Sequence, residues 1–133
     1  MTATANQGQD NTSIATSGTK PTVAVVYTRP DTVIKDVERA MLLADYKSHL
    51  PKTNPTLLKI NISWQHYYPA CSTTPWQLEG VIKTLRENDY DKLIPTHNGT
   101  VVVDPIEGAL QNKHKSVEDK YGLKSVFLDF PPS

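Results

Sequence analysis

Two hydrophobic periods share this chain of 133 residues. The run PTVAVVYT is rich in β-branched residues, which suit a pleated backbone, and predicts a strand over 22–28. Arg29-Pro30 ends it, because proline disfavours a regular backbone before it. Val33, Val37, Ala40, Met41 and Ala44 then recur at helical spacing, with Asp36, Glu38 and Arg39 on other faces. That pattern predicts a helix beginning at Thr32, with the Asp31 carboxylate as its cap. After HLPKTNP, the run TLLKINI over 56–62 is apolar on both faces except at Lys59 and Asn61, the pattern of an interior parallel strand. The sharpest signal is Thr74-Pro75-Trp76-Gln77: a capping threonine, a proline at the first helical position and a glutamine two residues on. It predicts a helix from 75 to about 88, with Leu78, Val81, Ile82 and Leu85 as its buried stripe and Lys83 between Glu79 and Glu87 on the wet side.

The second half is less periodic. Leu93-Ile94 predicts a short strand and 100–104 another, joined at Asn98-Gly99 by a tight hairpin turn; one strand followed by a long excursion is the alternative. A short helix over 116–121, capped by Ser116 and closed by Gly122, precedes a last strand in SVFLDF, 125–130. This order predicts an α/β domain with three layers, a mostly parallel sheet carrying helices on both faces through right-handed crossovers. The last strand has nothing after it to cover the sheet, so an incomplete C-terminal side is expected, with a homo-oligomer or a partner chain as the missing cover. Residues 1–20 hold no aromatic residue and one isolated Ile, and are expected to form a disordered tail ahead of a domain at 21–133.

Composition narrows the function classes. The chain is 38% hydrophobic and 21% charged with a formal net charge of zero, so no bulk field draws nucleic acid or an anionic membrane to it. Its one cysteine, Cys71, excludes an internal disulfide and is too few for an iron–sulphur cluster. The N-terminal residues have no secretory pattern and no stretch approaches the roughly 18 apolar residues of a membrane span, which points to a cytoplasmic location. The sequons at Asn11, Asn61 and Asn98 then read as chance matches.

Candidate chemistry gathers around NISWQHYYPACSTTPWQLEG, 61–80. Ligands of open parallel sheets bind beyond the carboxyl ends of the strands. Alternation puts Lys59 and Asn61 on one face near that edge, and the helix starting at Pro75 brings its free N–H groups there with the hydroxyls of Thr73 and Thr74. These four residues are the expected cradle for a phosphate- or carboxylate-bearing small molecule. As an alternative, Cys71, His66 and His97 could serve an enzyme or redox-associated subunit. His66 and His97 with Asp104 offer the donor types of a metal set, but no ligand spacing supports one and none is assigned. A structural or interaction fragment completed by a partner is the third reading. Trp64, Tyr67, Tyr68 and Trp76 are expected to cap the core.

The blocks VAVVYTRPDTVIKDVERAMLLA, LLKINISWQHYYPACSTTPWQLEGVIKTLRE, THNGTVVVD and NKHKSVEDKYGL, in that order, resemble the uncharacterised domain family 362. The family's Lys-x-Asn at a strand end and Thr-Pro before a helix fall on Lys59, Asn61, Thr74 and Pro75. The resemblance implies an α/β fold and the N-terminal part of a longer domain. Some members of that family carry ferredoxin-type segments; their cysteines have no counterpart here, so no iron–sulphur cluster is expected from this chain alone.

Overall fold

A computed structural model describes residues 23–68 and 70–128. The expected tail at 1–20, the first residue of the predicted opening strand and the end of the predicted last strand lie outside the described residues. The elements in chain order are α1 (Val33–Leu43), α2 (Tyr46–His49), β1 (Thr56–Lys59), α3 (Pro75–Arg86), β2 (Leu93–His97), α4 (Pro105–Gln111), α5 (His114–Lys120) and β3 (Val126–Phe127). The strands form one parallel sheet in the order β1-β2-β3. The α/β class expected from the alternation of periods is therefore what the chain adopts.

Register decides which side chains share a face. Thr56 pairs with Leu93, Lys59 with Thr96, and Thr96 in turn with Val126. Paired residues point the same way in a sheet, and successive ones alternate. One face thus carries Leu58, Leu93, Pro95, His97 and Phe127, and the other Leu57, Lys59, Ile94, Thr96 and Val126. The first face holds the core: Ile60, just past β1, and Leu93 pack with Leu78, Ile82 and Leu85 of α3 and Val117 of α5. Met41 of α1, Tyr46 and Leu50 close the cluster from outside. The helices α1, α3 and α5 thus make one layer. On the opposite face Leu57 is 64% and Val126 47% exposed, and the second helical layer of the expected three is not among the described residues.

The closest helix contact is made by a missing side chain. A Cβ on Gly80 would lie 2.7 Å from the Val37 Cβ, so α1 and α3 can approach this closely only with glycine there. At the N-terminus of α3, Thr74 caps as its sequence requires, its Oγ1 accepting from the Gln77 N–H at 3.3 Å. Pro75 occupies the first helical turn, where its missing N–H leaves no broken bond.

Four expectations are corrected. Residues 23–29 form no strand: Val23, Val25 and Tyr27 are strongly exposed, and β-branched residues make a strand only where a neighbouring ladder accepts them. Asp31 does not cap α1; Thr32 occupies that position and its hydroxyl donates instead to Asp36 at 2.5 Å. The predicted strand over 100–104, and with it the hairpin turning at Asn98-Gly99, is instead a tight turn closed by one isolated bridge from Thr100 to Val103, with Val101 fully exposed at its tip. The chain then makes the long excursion, through α4, a helix the pattern did not predict. The last predicted helix starts at His114 rather than near Ser116, after Lys113 in a left-handed conformation, and Gly122 at φ +63° follows its end as expected.

Candidate functional site

The carboxyl edge of the sheet holds two polar regions, joined at Thr73. The outer one lies at the start of α3. Ser72 Oγ accepts from the Ser63 N–H at 3.2 Å, Thr73 Oγ1 from the Asn61 N–H at 3.1 Å, and Thr74 Oγ1 from Gln77. Each hydroxyl is thus oriented by a backbone donor, while its own proton has no acceptor among the described residues. The three line a pocket of about 40 Å³ with Tyr67, Trp76 and Asn112. A water needs roughly 10–15 Å³ of such space, so the pocket suits a group the size of a carboxylate or phosphate head. The Asn112 amide pins the loop that forms its wall, donating to the Trp64 carbonyl at 2.9 Å and to the Gly108 carbonyl at 3.0 Å. Next to Asn112, Lys113 places its amine 5.6 Å from the centroid of the Tyr67 ring.

Lys59 and Asn61 sit elsewhere. Both side chains are exposed, and alternation puts them on the sheet face away from α3, since Ile60 and Ile62 beside them are buried. The Lys59 amine donates to the Ile60 carbonyl at 3.0 Å, and the Asn61 amide to Ser63 Oγ at 2.8 Å. Of the two, only the Asn61 backbone meets a pocket residue, exchanging hydrogen bonds with Thr73: its carbonyl accepts from the Thr73 N–H at 2.9 Å. The expected cradle is therefore divided, with Thr73 and Thr74 brought together and Lys59 and Asn61 turned away.

The inner region is buried. His97 ends β2 with its ring fully enclosed, and its Nε2 lies 2.8 Å from Glu118 Oε1 of α5. Ser125 Oγ donates to the other oxygen of the same carboxylate. The His97 ring lies between Phe127, at 5.5 Å, and His114, at 6.2 Å between centroids. His114 Nε2 donates to the Thr73 carbonyl at 2.6 Å, which links the two regions. With both Nε2 atoms donating, the Nδ1 atoms of His97 and His114 are buried with no partner among the described residues. Burial pushes the Glu118 carboxyl up, but the hydrogen bonds from His97 and Ser125, helped by the imidazole charges, outweigh it and hold the group below its ordinary range. Burial lowers His114, against the opposing pull of the Thr73 carbonyl.

This arrangement limits the chemistry. Ser125 bonds the carboxylate and not the imidazole, so His97 does not activate it as a base activates a nucleophile. Cys71 and His66 share no hydrogen bond; His66 is exposed with its ring edge-on to Trp64 at 6.0 Å. Asp104 caps α4, accepting from the Ile106 and Glu107 N–H groups at 2.8 and 3.0 Å. No cluster of three metal-ligating side chains occurs among the described residues. The expected aromatic cap is a surface feature: Trp64, Tyr67, Tyr68 and Trp76 are each more than two-fifths exposed.

Glu118, His114, Ser125, Asn112 and Lys113 escaped the sequence reading. In sequence they look like the wet face of a short helix and its flanks; the only available signal was Glu118 with Val117 and His114 at helical spacing. None of the described helices is long and apolar enough to cross a membrane. No protein-family model matches the chain, nor does any curated protein or solved structure.

Proposed function

We propose that the chain binds a small molecule through a phosphate or carboxylate group held at the start of α3. The observation that carries this reading is the set of three hydroxyls at Ser72, Thr73 and Thr74, each fixed by a backbone N–H and each with its proton to give. Two further features support it. The first turn of α3 leaves the Trp76 N–H without an acceptor among the described residues and sets the positive end of its dipole beside the same pocket. Lys113 holds a cation over the ring of Tyr67, a lining residue, and takes the role the sequence assigned to Lys59. Trp76 and Tyr67 offer apolar walls for the body of such a ligand.

Titration with inorganic phosphate and with acetate, followed by amide chemical shifts, tests the proposal. Saturable shifts centred on Ser72 to Gln77 are expected. A hydrogen bond to a charged group contributes about 1.5 kcal/mol or more, so Thr73→Val should weaken binding about tenfold. Lys59→Ala should leave it unchanged. Absent shifts at the α3 start, or a loss on Lys59→Ala equal to that on Thr73→Val, would overturn this reading.

A further inference from the structure

A larger cleft, of about 340 Å³, opens between the starts of α1 and α3, lined by Thr28, Arg29, Pro30, Val33 and Trp76. Both walls follow from local structure. A Cβ on Gly80 would meet Val37, so α1 and α3 touch there, and Val33 and Trp76 each lie one helical turn ahead of that contact. On the α1 side the Arg29 carbonyl accepts from the Thr32 and Val33 N–H groups at 3.1 and 2.8 Å, and the Pro30 ring restricts the backbone between them, so Arg29 sits on a fixed turn. Pro30, Val33 and Trp76 make the cleft mostly apolar, and Trp76, 44% exposed, offers part of its indole to it. Arg29 is the only charged residue in the lining. Its guanidinium is exposed and joins no hydrogen bond or ion pair among the described residues, not even with Asp31 two positions on. An apolar cleft of this size with one polar group to fix orientation matches a small-molecule site. Trp76 also lines the pocket at Ser72, Thr73 and Thr74, so no more than the span of one tryptophan separates the two cavities.

We infer that the ligand held at the start of α3 is an aromatic anion with a second acidic group: its phosphate or carboxylate meets the three hydroxyls, its ring lies against Trp76, and the acidic group on the far side of the ring meets Arg29. The inference rests on the anion site proposed above and adds the chemistry of the ligand's body. A ring suits the place because it matches an indole and has few rotatable bonds to freeze on binding. An acidic far end suits it because a guanidinium presents parallel N–H donors to a carboxylate, and this one has no partner of its own among the described residues.

The test titrates the full chain with inorganic phosphate, phenyl phosphate and 4-carboxyphenyl phosphate, read from the amide shifts of Ser72 to Gln77, those of Arg29 and Val33, and the Trp76 indole N–H. Phenyl phosphate should bind about threefold or more tighter than inorganic phosphate and shift the indole. The added carboxylate should tighten binding about tenfold further and bring in Arg29 and Val33. Arg29→Gln removes an exposed side chain that no described contact uses, and should return 4-carboxyphenyl phosphate to the level of phenyl phosphate. Trp76→Ala should remove the advantage of phenyl phosphate over inorganic phosphate. Equal affinities of the three probes at the α3 start would overturn the inference and leave the anion site standing, as would a carboxylate gain that survives Arg29→Gln. No shift at Ser72 to Gln77 with any probe would remove the anion site, and the inference with it.

Discussion

The two polar regions meet at one residue and are built on opposite terms. At the α3 start, hydroxyls take up backbone N–H groups at the protein surface, where water can replace any one of them. Around Glu118, a carboxylate and two imidazoles are enclosed between β2, β3 and α5, where nothing replaces a lost partner, with the half-buried Ser125 hydroxyl beside them. The same number of hydrogen bonds therefore has different consequences. An unmade bond in the interior carries the full desolvation cost of the group left behind, whereas one at the surface costs only the difference between protein and water as partners. The inner region should set stability, and the outer one should be free to serve binding.

Glu118→Ala is the harshest test of that contrast. It leaves the His97 N–H and the Ser125 hydroxyl without their acceptor and opens a void beside Val117 and Leu123. Breaking a buried pair from one side costs about 3–5 kcal/mol, a large part of the stability of a domain this size. Urea unfolding should show a loss in that range, and a loss below about 1 kcal/mol would mean that water already reaches the carboxylate.

Acidification separates the members of the inner region. The His114 proton affinity is lowered in the fold, so as pH falls through the ordinary value of 6.5 the unfolded chain takes up a proton first, and stability declines. Glu118 is also held low, from an ordinary value of 4.5, so its contribution is complete above that value and is lost as the pH falls through the folded-state value. Two successive losses on acidification are expected in urea midpoints. His114→Gln should remove the upper one and leave the lower. A wild-type curve flat between about pH 7.5 and 5.5 would contradict the enclosure of His114.

The sequence made legible whatever depends on neighbours along the chain. Thr74 and Pro75 specify the start of α3 through backbone groups within one turn, and the apolar stripe of that helix needs only its own spacing. The parallel β1 strand was legible in TLLKINI, but its expected interior place was not: β1 lies at an edge of the described sheet with Leu57 exposed, because strand order is set by the crossovers and not by the strand. What escaped depends on distant partners. VAVVYT has the propensity of a strand, yet a strand exists only with a ladder, and residues 23–29 have none. Lys59 and Asn61 were placed correctly on a common face, but which face α3 covers is fixed by the crossover and not by the strand. Glu118 looked solvated because a glutamate beside an aspartate usually is; its burial follows from His97 and Ser125, 21 and 7 residues away.

The smallest expected effects are the most informative about the outer pocket, because there stability and binding should separate. Thr74→Ala removes the helix cap and should cost about 1 kcal/mol, since the Gln77 N–H loses its acceptor in the first turn. Ser72→Ala also removes an acceptor, that of the exposed Ser63 N–H, but no helix depends on it and water can take its place. Its unfolding free energy should therefore stay within about 0.5 kcal/mol of the parent. Phosphate binding should nevertheless weaken in Ser72→Ala about as much as in Thr73→Val, because the proton lost is one of the three that the proposed function assigns to the anion. A variant that lost stability without losing phosphate would reverse the assignment, making Ser72 a brace for the loop and leaving the helix start to bind alone.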